Sequence, residues 1–479
     1  MNFIDRAVGF MSPVAGLRRQ QARAALERTA PKTSTRRFGG SRAARDWYTN
    51  TGDPNDARPK RYVSRQTILK LVAENPFARK ALNAMLNSIV GWGITGAPAG
   101  SRQVKNLWAE WVKVCDFHGR LDLFGLQELW VRSMLRDGEV FIVPRWVAGA
   151  SVLPLRLQSF DKGMLAVGKI GRGIERGIEY DGDGRAIAYH FHRTRPGQCW
   201  STGDTVRFPA EEVIHLFAQE WIGQTEGVSV FDSVVKRLGD VEEGIEAEVV
   251  KANISACMVG FRYRANGEDG PGPAIGLETD ENERAPVEEF VPGMIETLDD
   301  GEQITFSTPP KSGGLKDLFR VAMLASSAGV GVTYEQQTGD LSNVNFSSYK
   351  AGELQFKRLV GRLQWLTIIP VCLDRVWAWF LKAGIDFGIL PNKQVAIKWT
   401  PPPFESIDRK KDAEADILEM EAGLEDRESL LSARGYDHDE MIERIRRNRE
   451  KTKAAGLTFK GDLTQPTANA AKQQAAAAA

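Results

Sequence analysis

The sequence predicts an α+β protein built in successive segments. Three observations carry that reading. Apolar residues recur at helical spacing over 64–137, short apolar runs alternate with glycine-containing turn pairs over 139–219, and one apolar stripe follows a long helix over 230–258. At 479 residues the chain exceeds what a single core usually fills, and about three domains is the prior.

Taken in order, residues 12–65 are rich in Arg, Ala, Ser, Thr and Gly, with few large apolar groups besides Trp47 and Tyr48. They read as a flexible or partner-ordered arm. Residues 1–65 hold 14 basic and 5 acidic groups, a net of +9, whereas the remainder carries −8 and the whole chain +1. A basic arm on a mildly acidic body gives no global charge that points to nucleic acid. The first helix spans about 64–90: Ser64 can cap it, Ile68, Leu71, Val72, Leu82, Met85, Leu86 and Ile89 share a face, and Gly91 and Gly93 stop it. A second covers about 101–116 with Val104, Leu107, Trp108, Trp111 and Val112, and a third about 123–137, ending at Asp137-Gly138. A strand of 139–144 follows.

Within 139–219 the turn pairs are Gly171–Gly173, Asp181-Gly182-Asp183-Gly184 and Pro196-Gly197, and 185–193 reads as a hairpin return strand. Val234, Leu238, Val241, Ile245, Val249, Ala252 and Ala256 then mark a rod that at about 1.5 Å per residue reaches roughly 42 Å. Segment 294–306 reads as a hairpin turning at Asp300-Gly301, and 314–328 as a helix. The loop 336–348 is polar, with Asp340 its only charge. A helix of 347–383 carries Trp365, Trp377 and Trp379, a strand covers 394–399, Pro401–Pro403 break the chain, and 404–455 is charge-laced helix. The Ala/Gln/Lys tail is low complexity and reads as disordered.

Few motifs survive their structural alternatives. Gly91-Trp-Gly-Ile-Thr-Gly96 fits G-x-G-x-x-G, but it follows a helix instead of a strand, so helix-terminating glycine is the better reading. No G-x-x-x-x-G-K-[ST], H-E-x-x-H or G-x-S-x-G occurs. His190 and His192 share a strand face without a carboxylate or Cys placed near them in sequence, which favours a structural role over a metal pair. His118 and His215 stand isolated, and Asp181 and Asp183 read as turn residues. Cys115, Cys199, Cys257 and Cys372 are far apart, as in an intracellular protein with buried thiols. Asp5 and Arg6 interrupt the only signal-like apolar stretch, and Pro370, Asp374 and Arg375 interrupt the most apolar one, so neither export nor a membrane span is expected. The expectation is no enzyme, cofactor or metal.

The order of several pieces is what becomes recognisable. Asn75-Pro-Phe-Ala-Arg79 leads to Ile89-Val-Gly-Trp-Gly-Ile94. Leu126-Gln-Glu-Leu precedes Arg136-Asp-Gly-Glu-Val140. Val213-Ile-His-Leu-Phe217 and Gln224-Thr-Glu-Gly227 precede the long helix ending Ala252-Asn-Ile-Ser-Ala256. The most specific piece is Gly329-Val-Gly-Val-Thr-Tyr-Glu-Gln336 running into Leu341-Ser-Asn-Val-Asn-Phe-Ser-Ser348. Over roughly 45–450 the chain resembles the portal proteins of tailed bacteriophages, of the lambda-type family.

The resemblance implies an α+β portal fold with an α/β wing, a two-helix stem, a small α/β clip and a helical crown, assembled as a dodecameric ring. Its segments would be an arm (1–24), wing (25–228), first stem helix (229–258), clip (259–313), second stem helix (314–330), tunnel-loop region (331–348), long helix with returning wing strand (349–402), crown (403–455) and tail (456–479). The ring would sit at one capsid vertex of the virion after assembly in the host cytoplasm. It would pass sequence-independent double-stranded DNA and dock the terminase large subunit, the head-tail adaptor and the major capsid and scaffold proteins. The implied tunnel-loop residues are Thr338, Asp340, Ser342, Asn343, Val344 and Asn345, with the stem lining at Glu242, Glu243, Glu246 and Lys251. Clip docking falls on Glu268, Asp269, Glu278, Asp280 and Glu281. A net acidic rod and a loop of Gln, Asn, Ser and Thr suit a channel that touches DNA without holding it, since each basic contact adds affinity by counterion release. The arm fits DNA, scaffold or coat contact, or ordering between neighbouring subunits. The other readings are a nucleic-acid-processing enzyme subunit and a minor capsid protein without a channel.

Overall fold

The computed structural model describes residues 65–149, 151–194, 204–256, 260–264, 302–306, 315–342, 344–391, 394–404, 408–436 and 438–457. The fold mixes helix and sheet. It divides into two compact units, residues 1–65 with 219–227 and residues 66–218 with 228–479. In the first, Gln224 ties the 219–227 loop together: its Oε1 accepts from the Glu220 N–H and its Nε2 donates to the Glu226 carbonyl, each at 2.7 Å.

Where one helix is predicted over 64–90 there are two, α1 (Arg65–Glu74) and α2 (Pro76–Ile89). Pro76 is the cause. The residue before a proline is pushed out of the helical region, and Asn75 sits extended at φ −83°, ψ 117°, its Oδ1 accepting from the Ala78 N–H at 2.9 Å. The positive φ of Gly91 and Gly93 ends α2, and strand β1 (Thr95–Pro98) follows, so the glycine motif does not open a helix. Helix α3 (Arg102–Val112) is shorter than predicted, and α4 (Leu123–Asp137) matches.

Strands β2 (Glu139–Trp146), β3 (Leu155–Asp161) and β8 (Ile214–Phe217) form an antiparallel sheet in the order β3-β2-β8. Strands β4 (Ile174–Glu175), β5 (Ile178–Tyr180), β6 (Ala186–His192) and β7 (Thr205–Pro209) form a meander that includes the predicted return strand. Asp181 Oδ1 accepts from the Asp183 and Arg185 N–H groups, which makes this acid pair a turn. Phe141, Phe160, Phe191 and Phe208 join the two sheets in one buried cluster, with the Phe160 and Phe191 rings stacked at 4.7 Å.

Helix α5 (Val235–Ala256) is followed by β9 (Gly260–Arg264), which pairs antiparallel with β10 (Glu302–Phe306). The described partner of 302–306 is thus 260–264. The segment 294–301 lies outside the described residues. Helices α6 (Leu315–Val330) and α7 (Tyr334–Thr338) come next; the latter occupies part of the predicted loop because Thr333 and Gln336 make a capping box. The predicted helix of 347–383 is α8 (Phe346–Leu363), a π-helical stretch Gln364–Leu373, and α9 (Asp374–Asp386). Pro370 lacks the N–H that an α-helix needs, and the wider π turn absorbs the loss. Strand β11 (Ile397–Thr400) returns to pair with β1. A tryptophan cluster locks that return: Trp108 lies 5.1 Å from Trp377 and 5.0 Å from Phe380, while the Trp399 indole N–H donates to Asp374 at 2.8 Å. Helices α10 (Arg409–Glu421), α11 (Arg427–Ala433) and α12 (His438–Ala454) finish the described chain.

Candidate functional site

The predicted channel residues fall on α5, on the end of α7 and on the loop leading into α8, and α6 is the predicted second stem helix. Val234 and Leu238 anchor the start of α5 and are buried, but along the same stripe Ile245 is 39% and Val249 54% exposed. Helix α6 behaves likewise: Met323 is buried while Leu318 and Val321 are exposed. The two helices close together at Gly329, where an added Cβ would lie 2.4 Å from Val234 Cγ1. Farther along they part around a cavity of about 260 Å³, lined by Val241, Gly244, Ile245, Leu318, Phe319 and Ala322. Phe319 also meets Phe77 edge-on at 5.7 Å, which ties α6 to α2.

Glu242 accepts a hydrogen bond from Asn75 Nδ2 at 3.2 Å. Glu243 and Glu246 are exposed, and Lys251 pairs with Glu248 one turn earlier at 3.6 Å. Asn75 is thus a partner of the acidic rod that spacing along one helix could not reveal.

Helix α7 is held by Gln337, fully buried, whose Nε2 donates to Ser326 Oγ of α6 at 2.9 Å. Gly339 ends it at φ +81°. Thr338 Oγ1 donates to the Tyr334 carbonyl at 2.8 Å and accepts from the Asp340 N–H at 3.2 Å. The Asp340 carboxylate accepts from the Ser342 N–H at 3.0 Å and from its hydroxyl at 2.6 Å. Asn345 caps α8, its Oδ1 accepting from the Ser348 N–H at 2.8 Å. Val344 is half-buried, and Asn343 lies outside the described residues. Thr338, Asp340, Ser342 and Asn345 therefore bond within the loop and the helix turns that flank it. Those Ser342 hydrogen bonds, and then the positive field of Arg320 and Lys316, hold the Asp340 carboxyl below the ordinary aspartate range. Sequence reasoning missed these two cations. Their i,i+4 spacing on α6 was the available signal.

Glu268, Asp269, Glu278, Asp280 and Glu281 all lie outside the described residues, between the paired strands β9 and β10.

Two histidines read as unaccompanied have carboxylate partners in the fold. His190 Nε2 is 2.6 Å from Glu179 Oε1, and its Nδ1 is 2.9 Å from Lys169 Nζ. Arg207 makes a bidentate bond to the same carboxylate and, with His190, holds it down at about 2. His215 Nε2 lies 3.1 Å from the fully buried Glu139, which Lys162 also meets at 3.1 Å. Both clusters stitch strands together within the sheets. Among the described residues no group of three His, Cys, Asp or Glu side chains is arranged to hold a metal ion. Burial pushes the Cys115 thiol up to about 12 and the Cys372 thiol higher still. No helix of the described residues is long and apolar enough to cross a membrane.

A family model described as "Phage portal protein, lambda family" matches residues 40–364. The "Probable portal protein" of Halomonas phage phiHAP-1 is 23% identical over 465 residues, covering 89% of this chain and 88% of its own. "Portal protein B" of Escherichia phage lambda is 23% identical over 452 residues, covering 81% and 83%. Among solved structures, a chain from the neck of an empty gene transfer agent particle aligns with a TM-score of 0.48 at 16% identity, covering 78% of this chain and 95% of that one.

Proposed function

Because this chain belongs to the lambda family of phage portal proteins, we propose that copies of it close into a ring at one capsid vertex, through which double-stranded DNA is packaged and later leaves. Helices α5 and α6 are the stem of that ring, and the α7–α8 loop narrows its lumen. Residues 259–313 form the clip that docks the terminase during packaging and the head-tail adaptor afterwards. The helices after Pro403 form the crown, and the meander and tryptophan cluster belong to the wing.

One observation carries the ring: the paired helices α5 and α6 leave Ile245, Val249, Val250, Leu318, Val321 and Leu324 exposed, while Val234, Leu238 and Met323 are buried. Such a face is costly in water at about 25 cal/mol per Å² and is covered when the same helices of a neighbouring copy lie against it. The chemistry of the lumen fits passage. DNA carries a charge about every 1.7 Å of axis, and affinity grows steeply with each cation that meets a phosphate. The tunnel-loop residues Thr338, Asp340, Ser342, Asn343, Val344 and Asn345 offer one charge, an anion already engaged by Ser342. Glu243 and Glu246 extend the same acidic character along the rod. The terminase supplies the energy, and this protein turns over no nucleotide of its own.

Native mass measurement of the full chain, paired with electron-microscope class averages, tests the ring. The expected result is particles with a central hole and a mass near about twelve of the 53.1 kDa chains. A compact dimer with no ring under any condition, or nucleotide turnover by the pure protein, would return the nucleic-acid enzyme reading.

A further inference from the structure

Helix α10 buries none of its residues. Its inner edge is tied down by two ion pairs, Asp412 with Lys350 at 3.7 Å and Asp416 with Arg434. The opposite edge carries Glu414, Ile417, Leu418 and Glu421, all exposed, with Leu418 at 64%. Between Asp412 and Asp426 the sequence places seven carboxylates and no cation, and Lys410, just before that stretch, pairs with Glu414 at 3.8 Å.

Helix α12 is the converse. From Arg444 to Lys453 it places six cations against the single carboxylate Glu450, and all six cationic side chains are exposed. Ile442 and Ile445 lie beside them at 47% and 44% exposure. The ion pair of Arg446 with Glu450 runs along α12 itself, one turn apart at 3.3 Å. Each helix therefore presents an uncovered face that is part apolar and part charged, and the two signs are opposite.

On the premise of the ring proposed above, we infer that α10 of one copy packs on α12 of the next. The acids around Glu414 and Glu421 meet the cations around Lys451 and Lys453, and the exposed Ile and Leu side chains meet between them. Every copy offers both faces, so the contact repeats around the ring, and a seam of α10 on α10 or of α12 on α12 is excluded by like charge. Covering α12 also has a consequence for passage. A ring of uncovered α12 helices, six exposed cations to a copy, would hold duplex DNA by counterion release, and paired with carboxylates they do not.

The experiment uses the full chain in three charge-reversed forms: Lys451→Glu with Lys453→Glu, Glu414→Lys with Glu421→Lys, and all four together. The readouts are the concentration at half-assembly by native mass, in low salt, and retention of duplex DNA by the same preparations. Each two-site form is expected to raise that concentration by about tenfold, and the four-site form to bring it back to within about threefold of the starting protein. Unchanged assembly in both two-site forms, or no recovery in the four-site form, overturns the contact. If the α12 form assembles normally and loses DNA retention, the face belongs to nucleic acid and the contact is likewise overturned. Absence of rings from the unaltered chain counts against the portal ring itself and is thereby told apart from failure of this contact.

Discussion

Asn75 Nδ2 donates to Glu242 Oε2 across 3.2 Å while Asn75 Oδ1 caps helix α2, so one side chain both starts a helix of the body and holds the long rod α5. Asn75→Ala is expected to cost about 1–2 kcal/mol in urea unfolding. Asn75→Asp keeps the cap but sets a second carboxylate against Glu242. It should destabilise at neutral pH and recover when Glu242→Gln is added. An N75D chain as stable as the original would show that Glu242 is not held there.

Two glycines on the rod pair should respond with opposite signs. A Cβ on Gly329 would press on Val234, so Gly329→Ala is expected to lose about 1–3 kcal/mol. Around Gly244 an added Cβ meets nothing within 4 Å, and Gly244→Ala in a helix interior should gain about 0.4–1 kcal/mol. Unfolding curves of the dissociated chain decide both. Should Gly244→Ala stabilise the chain yet weaken assembly, the neighbouring copy approaches closest at Gly244.

Gln364, buried in the π-helical stretch, donates to the Ile89 carbonyl at 2.8 Å and so satisfies the end of α2. Gln364→Leu leaves that buried acceptor unpaired at an expected cost of about 1–3 kcal/mol. Thermal melting at fixed protein concentration measures it. No loss would mean that another donor reaches Ile89.

Glu179 sets an acid limb of stability. Its carboxyl, ordinarily near 4.5, is held at about 2 by Arg207 first and His190 second. The folded value is depressed, so the stabilisation is full above about pH 4.5 and fades as pH falls toward 2. Arg207→Gln removes most of the depression, and its stability-against-pH curve should be flatter than the original below pH 4.5. Identical slopes in that range would refute the assignment.

Asp340→Lys replaces the loop's one anion with a cation. Assembled rings should then retain duplex DNA more strongly at low salt, with the salt slope steeper by about 0.9 for each new phosphate contact. Filter retention across a salt series reads this directly. Retention that does not change would remove the loop from the DNA path.

The sequence carried much of this fold where the signal was local. The rod's spacing, the Asp-Gly turns and the helix-ending glycines are each written within a few residues. Asn75-Pro76, Pro370 and Thr333-x-x-Gln336 were equally local, and weighing proline and capping chemistry ahead of apolar spacing would have split the long helices correctly. The ion clusters were not legible. His190 meets Glu179 from 11 residues away across a strand pair, and His215 meets Glu139 from 76. Strand register creates such partners, and no single-helix or single-strand pattern contains them. Asn75 and Glu242, 167 residues apart, are such a pair in the candidate site.

A single-particle reconstruction of rings assembled from the full chain tests whether the α7–α8 loop forms the narrowest part of the lumen. Asn343, Val344 and Asn345 are expected at the tightest constriction, with α5 and α6 framing the channel beyond it. A lumen whose constriction is made by other residues, with this loop set back by more than the radius of duplex DNA, would contradict it.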